Sequence, residues 1–220
     1  MGIQIKFAKS YLQVENVRYF TTGASSVELG SWGQKKQPVT QPNYLMVMDR
    51  VPAGKLKIRK SLALTIDSTT LTEANLGAGL TVPGLGPLKA GVAVDKLKRE
   101  ELRLVLLEVL PADMADAVNE SPKVIEGFRE VGNDGRLVHK VIVVLDSKTT
   151  DAFKVAGSVS AEVEDGNFKI RLSGSTGGIT TVSFENATLA YLLLKPRWDA
   201  NQKKNWTRMV GSEDDRQSLN

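Results

Sequence analysis

The chain has 220 residues, of which 41% are hydrophobic and 25% charged, with a formal net charge of +4. This length and composition suit one globular domain with a substantial core. The absence of cysteine excludes disulfides and thiolate metal sites, and no stretch reaches the roughly 20 apolar residues of a spanning helix. The N-terminal residues lack the apolar core of a secretory signal, which predicts a cytoplasmic location.

The first part of the chain predicts strands separated by turn-rich connections. Residues 21–42 are rich in Gly, Ser, Thr and Pro and predict a long surface connection, and residues 44–48 predict a short strand buried on both faces. Between residues 55 and 67, apolar and polar residues alternate, which predicts one long amphipathic strand. The glycine-rich segment 74–91 predicts a loop, and it lacks the spacing of a phosphate-binding fingerprint.

The middle of the chain predicts two buried strands around a helical segment. Residues 102–109 are apolar enough for an interior strand, which Pro111 ends. Residues 112–130 carry apolar side chains at helical spacing, interrupted by Pro122, which predicts two short helices or one broken helix. Residues 137–145 are apolar except for His139 and Lys140 and predict another buried strand.

A hairpin is the clearest prediction, because residues 155–172 alternate on both sides of an Asp165-Gly166-Asn167 turn. Its polar face carries Ser, Glu, Lys and Arg side chains. Such a ribbon can cover a core, and it also suits a strand pair between lipid and water. The alternation leaves both interpretations open. The apolar face comprises Val155, Val159, Ala161, Val163, Phe168, Ile170 and Leu172.

Two further strands are predicted at residues 179–184 and 188–194, followed by a polar stretch from residue 196 onward. The sequence therefore predicts an α+β fold: a twisted, mainly antiparallel sheet with long amphipathic hairpins, a helical segment at 112–130 and a polar C-terminal tail. Residues 1–195 are expected to form a single β-rich domain, with 196–220 as the tail.

Residues suited to catalysis are sparse in this sequence. The only histidine, His139, lies within a predicted strand, where a half-buried structural role is expected. The acidic pairs Glu100-Glu101 and Asp214-Asp215 stand in charged runs. The basic stretch Trp198 to Arg208 is partly cancelled by the acidic residues after it. We therefore expect no enzyme, cofactor, metal or nucleic-acid partner.

The order of segments is similar to that in the later half of a gasdermin pore-forming domain. The similarity rests on a helical piece at 123–134, the strand at 137–145, the amphipathic hairpin, and a closing segment at 182–194 that contains Thr188-Leu-Ala-Tyr191. The glycine-rich segment 77–91 followed by a basic strand also resembles bacterial members. The resemblance covers about residues 54–195.

Two departures from the gasdermin pattern are visible. The chain has no cysteine near its N-terminus, where many bacterial members carry a lipidated one, and it lacks the large C-terminal inhibitory domain of animal members. Residues 196–220 have about the size of the short inhibitory tail of bacterial members.

The resemblance implies a cytoplasmic monomer, held closed by the tail, that an activating protease releases to form a homo-oligomeric membrane pore in defensive cell death. Alternating strands would then present one stripe to lipid and one to water. The membrane-inserting residues would be Leu56, Ile58, Leu62, Leu64, Val159, Val163, Phe168, Ile170 and Leu172. Those docking on anionic lipid would be Lys55, Lys57, Arg59, Lys96, Lys98 and Arg99, at about 1 kcal/mol each near the surface.

An alternative remains from the residues themselves. The chain would then be a non-catalytic β-rich module that assembles with itself or with a protein partner, and its ribbons would only cover a core.

Overall fold

The structure is a computed structural model that describes residues 3–62, 64–77, 79–164, 167–174 and 178–215. Its helices are α1 (Glu73–Leu76), α2 (Ala90–Lys98), α3 (Pro111–Asn119), α4 (Pro122–Val131) and α5 (Ser147–Val155). Its strands are β1 (Ile3–Ala8), β2 (Tyr11–Val14), β3 (Val17–Phe20), β4 (Ser31–Lys36), β5 (Tyr44–Arg50), β6 (Ile58–Ser61), β7 (Leu64–Ile66), β8 (Gly79–Val82), β9 (Gly86–Lys89), β10 (Leu102–Val109), β11 (Gly135–Asp146), β12 (Ala156–Glu164), β13 (Asn167–Gly174), β14 (Ile179–Ser183), β15 (Thr188–Trp198) and β16 (Met209–Asp215).

The centre of the molecule is an antiparallel sheet in the order β6-β10-β11-β15. Strands β10 and β11 are rich in Leu, Val and Ile because both of their faces are covered. Helices α3 and α4 connect β10 to β11 at one end of this central sheet. Proline at the first position of each helix fits a start at that point.

Other strands widen the central sheet on both sides. Strand β4 pairs with the beginning of β11 and with β5. On the other side, β15 pairs with β16 and, through Tyr191 and Phe20, with β3. Strands β3, β2 and β1 form a meander, and β1 pairs in parallel with β7. The pairing is therefore mainly antiparallel, as the sequence predicts.

Alternate residues of the central strands belong to two separate cores. The first core contains Val105, Val143 and Tyr191, together with apolar residues of α3, α4, α5, β12 and β13. The second core contains Leu104 and Ile142, together with apolar residues of β1, β2, α1, β8 and α2. The period of two in a strand explains this division between the two faces of one sheet.

The structure confirms the two short helices, the buried strand at 137–145 and the hairpin in their predicted places. The hairpin begins one residue later than expected, because Val155 ends α5 and its side chain is exposed. Residues 165 and 166 of the predicted turn lie outside the described residues.

The predicted long strand at 55–67 is wrong. A 3₁₀ turn occupies Ala53–Lys55, and the rest divides into β6 and β7, which pair with different neighbours. Alternation persists across the break because each short strand has one face toward a core.

Three shorter expectations also need correction. The predicted connection 21–42 contains β4, whose Trp32 packs in the first core. The predicted loop 74–91 contains the β8–β9 hairpin, where Gly84 and Gly86 adopt positive φ. Strand β5 is not buried on both faces, since Met46 and Met48 are exposed at the edge of the sheet.

Candidate functional site

Two long insertions leave the same end of the central sheet. The first insertion, residues 62–101, connects β6 to β10, and the second insertion, residues 147–187, connects β11 to β15. Leu106 pairs with Ser61 and Leu102 with Asp146, so the strand ends that flank both insertions lie side by side. Val143 pairs with Thr188 at the same end. Both insertions therefore leave one end of the central strands, and α3–α4 lie at the opposite end.

The insertions cover opposite faces of the central sheet. The second insertion contributes Phe168, Ile170 and Leu172 to the first core. The first insertion contributes Leu71, Val82 and several residues of α2 to the second core. Each insertion is therefore a folded cover for one face of the sheet.

The second insertion folds as α5 followed by the three-stranded sheet β12-β13-β14. The register pairs Val159 with Leu172, Ala161 with Ile170 and Val163 with Phe168, so these six side chains share one face. The opposite face carries Glu162 opposite Lys169, and Arg171 lies 3.6 Å from Glu162.

The five membrane-inserting residues expected in this hairpin thus lie on one face. Phe168, Ile170 and Leu172 are buried, Val159 is half-buried, and Val163 near the tip is exposed. Phe153 of α5 meets Phe184 edge-to-face at 6.1 Å between ring centroids, which fixes the ends of the second insertion over the same core.

The four membrane-inserting residues expected in the region of β6 are not brought together. Leu56 is buried against Gly30, and Ile58 and Leu62 pack against the first core. Leu64 pairs with Ile3 and packs against the second core. These residues do not form a continuous ribbon, because β6 and β7 contribute to different faces of the sheet.

The basic residues expected to dock on lipid lie in two groups at opposite ends of the β6–β10 pair. Lys55, Lys57 and Arg59 lie near the end that pairs with Val109, and Lys55 and Lys57 pair with Glu120 and Asp113 at 3.6 and 3.1 Å. In the other group, Lys96 and Lys98 lie in the last turn of α2 and Arg99 directly follows it, near the opposite end of β10. At about 3.4 Å per residue the length of β10 separates the groups by about 24 Å.

Lys60 connects the central sheet to the second insertion. Its Nζ donates hydrogen bonds to the carbonyl oxygens of Phe153 and Ala156, the latter at 2.9 Å. Burial lowers the pKa of this ammonium group. Sequence reasoning missed this contact, because nothing in the alternation around residue 60 shows that β6 lies beside the end of α5.

His139 and Asp214 approach each other inside the sheet. His139 Nε2 lies 3.5 Å from Asp214 Oδ1, and the imidazole is almost fully buried. Desolvation by burial lowers the pKa of His139 to about 4, with Lys140 acting in the same direction and Asp214 opposing it. His139 lines neither of two clefts, of about 460 and 310 Å³, in the described part of the chain. The imidazole lies deeper than the half-buried or edge position that the sequence predicts, because β11 is paired on both sides.

The C-terminal segment belongs to the sheet. Strand β15 continues to Trp198, so the expected domain boundary after residue 195 falls within a strand, and β16 pairs with β15. Trp198 and Trp206 stack at 5.0 Å between ring centroids. The Asn119 side chain accepts a hydrogen bond from Met209 N at 2.7 Å and donates one to Met209 O at 3.0 Å.

The larger of the two clefts, about 460 Å³, lies between the β1–β2 hairpin and the β8–β9 hairpin. Its lining includes Leu80 of the first insertion and Asn186 of the second, so both insertions border it. Among the described residues no group of acidic or imidazole side chains is arranged to hold a metal ion. No helix in that part of the chain is long and apolar enough to cross a bilayer.

Comparison with known proteins gives no match to a family model, to a curated protein or to a solved structure.

Proposed function

We propose that this chain is a gasdermin-like pore-forming protein, closed by its C-terminal strand and opened by proteolysis. One observation carries the proposal: two insertions leave the same end of one antiparallel sheet and fold back over its opposite faces. If both insertions swung away from the sheet, their strands would extend the central strands in the same direction, beyond the same end of the sheet.

The insertions are long enough to extend the central strands across a bilayer. Each insertion has about 40 residues, and a hairpin that crosses a bilayer needs two arms of about 9–11 residues. Strands β12 and β13 already have nine and eight residues. Continued pairing of β6 with β10 and of β11 with β15, and pairing between neighbouring copies, would satisfy the backbone groups that lipid cannot.

The two faces of the second insertion suit such a change of surroundings. Phe168, Ile170 and Leu172 would exchange the first core for hydrocarbon, so their apolar area would remain away from water. The face with Glu162 and Lys169 would line the aqueous side. The first insertion would need to refold from short strands and helices before it formed a comparable hairpin.

Docking on anionic lipid is proposed for Lys96, Lys98 and Arg99 alone. These residues lie at the end from which the insertions would extend, where basic side chains gain about 1 kcal/mol each near an anionic surface. Lys55, Lys57 and Arg59 lie at the far end of β6 and would face away from the bilayer.

Strand β16 would act as the inhibitory element. It occupies the outer edge of β15 from Leu193 to Trp198, which a neighbouring copy would need for strand pairing. The connection to β16 includes five consecutive exposed residues, Asn201–Asn205, where an activating protease would cut. The closed monomer would be cytoplasmic and the assembled oligomer would lie in the membrane, where permeabilisation would serve defensive cell death.

The test uses the full chain with a recognition sequence for a specific protease inserted between Asn201 and Gln202. Dye-loaded vesicles with and without phosphatidylserine are mixed with the protein before and after cleavage. We expect leakage only after cleavage, and mainly from the anionic vesicles. As a control, the same recognition sequence between Val39 and Thr40, at an exposed connection, allows cleavage without freeing β16 and should give no leakage. Release of β16 without leakage would contradict the proposal.

The second candidate function is a non-catalytic module that assembles with itself or with a protein partner. The full burial of Phe168, Ile170 and Leu172 favours it, because these residues already cover a core. For such a module the cleaved chain would leave vesicles intact, and changes in the hairpin would alter only the stability of the fold.

A further inference from the structure

One half-buried carboxylate on β16 forms ion pairs with two cations of the sheet. Asp215 Oδ2 lies 2.6 Å from Arg136 Nε of β11 and 3.0 Å from Lys35 Nζ of β4. The side chains of Lys35 and Arg136 are only 7% and 10% exposed, and that of Asp215 is 15% exposed. We call these two cations the cation pair.

The cation pair is built into the sheet and not into the tail. Lys35 and Arg136 lie on neighbouring strands, where Lys35 is next to Gln34, the partner of Gly135. The Arg136 guanidinium also donates to the carbonyl oxygens of Asn133 at 2.8 Å and Gly135 at 2.9 Å. These bonds would hold Arg136 in place whether or not β16 is present.

Withdrawal of β16 would leave two like charges side by side without the carboxylate that now lies between them. Like charges held close together repel each other, and an anion between them relieves that repulsion. A planar guanidinium beside an ammonium group is a common arrangement for binding phosphate oxygens. Departure of Asp215 is therefore expected to favour the binding of a substitute anion.

We propose that the cation pair is an anion site that Asp215 occupies in the closed chain and that a soluble phosphate group occupies when β16 leaves. This proposal rests on the release of β16 in the proposed function. The site lies at the end of the central sheet opposite the insertions, so a phosphate ester or inorganic phosphate in solution fits it better than a lipid headgroup. Release of the tail would then be coupled to the binding of phosphate.

The test uses inorganic phosphate and the full chain carrying Asp215→Ala, which removes the carboxylate and vacates its volume. The control is Asp113→Ala, which removes the acid of the Lys57–Asp113 pair, where the lysine is 70% exposed. Thermal unfolding is measured in phosphate and in chloride at equal ionic strength. We expect Asp215→Ala to gain about 3–6 °C at a phosphate concentration ten times its Kd, in a saturable manner. Wild-type protein and Asp113→Ala should show no saturable gain.

A second change tests whether the gain belongs to the cation pair. Adding Lys35→Met to Asp215→Ala should abolish the gain. If Asp215→Ala does not fold, Asp215→Ser, which also removes the carboxylate and vacates most of its volume, replaces it in the same measurement. A folded Asp215 variant without a saturable gain, or an equal gain in Asp113→Ala, would overturn the proposal.

Two further outcomes separate the possible sources of phosphate and the two proposals. Binding of Asp215→Ala to phosphatidic acid vesicles without any response to free phosphate would overturn the proposal in favour of a headgroup site. A phosphate response in a protein whose cleaved form causes no leakage would contradict pore formation alone. Leakage without a phosphate response would contradict the anion site alone.

Discussion

The hairpin of the second insertion should contribute strongly to the stability of the folded chain through its apolar face. Ile170 in β13 is 0% exposed and packs in the first core, whereas Ile179 in β14 of the same small sheet is 55% exposed. The substitutions Ile170→Ala and Ile179→Ala therefore remove the same atoms from a buried and an exposed position.

The two substitutions are expected to lower the free energy of unfolding by clearly different amounts. Removing a buried Ile side chain costs about 2–5 kcal/mol, because transfer free energy is lost and a cavity remains. A loss of about 3 kcal/mol in the free energy of unfolding corresponds to a Tm lower by about 6–12 °C for a chain of this size. A substitution at an exposed position, such as Ile179→Ala, changes the free energy of unfolding by less than about 0.5 kcal/mol.

Differential scanning calorimetry and urea unfolding of both variants would measure the effect. If Ile170→Ala were as stable as wild type, or if both variants lost the same stability, the hairpin would not be the cover of the first core that its register and burial indicate.

Three other predictions concern helix α4, the buried His139 and the connection to β16. Gly127→Ala in α4 should lower stability by about 1–3 kcal/mol in urea unfolding, since its Cβ would lie 2.0 Å from the ring of Trp32, whereas Gly54→Ala, which meets no atom, should be neutral. Because burial lowers the pKa of His139 to about 4 in the folded chain, the unfolded chain binds more protons between pH 6.5 and 4. Stability should fall as the pH falls through this window, by up to about 3 kcal/mol, and His139→Leu should remove that part of the pH dependence. In limited trypsin digestion, mass spectrometry should find the earliest cut in the exposed segment 201–205, and a first cut inside β12 or β13 would contradict the packing described.

The elements that could be predicted from the sequence are those with local signals. Alternation on both sides of a polar turn indicates the β12–β13 hairpin, and helical spacing interrupted by Pro122 indicates α3 and α4. The mostly apolar segment 137–145 indicates a strand covered on both faces. In each case burial leaves a periodic trace within about ten residues.

The elements that could not be predicted depend on distant partners. Strand β7 pairs in parallel with β1, and no local pattern shows that the chain changes neighbours between β6 and β7. Strand β16 is polar and ends in three acidic residues, which suggests a solvated tail. Its place in the sheet depends on the cation pair and on Asn119, which are contributed by strands and a helix far along the chain.

That both insertions leave the same end of the central sheet could not be predicted either, because it depends on the topology of the sheet. Periodicity shows that a ribbon has two faces, but only the order β6-β10-β11-β15 shows that both insertions start at the same end. Under the proposed function, release of β16 would also expose Trp206 and Met209, which are buried. Cleavage at 201–205 leaves both residues on the fragment with β16, so release should be slower than cleavage.

The most direct measurement of the central claim is a fluorescence scan of the second insertion. The chain has no cysteine, so single cysteines at positions 158–163 can each carry an environment-sensitive dye in the full chain with the cleavable connection. After cleavage with anionic vesicles that carry a quencher on their acyl chains, we expect the quencher to lower the emission at 159, 161 and 163 and to leave it unchanged at 158, 160 and 162. No quenching at any of the six positions, or quenching without alternation, would contradict insertion of this hairpin into a bilayer.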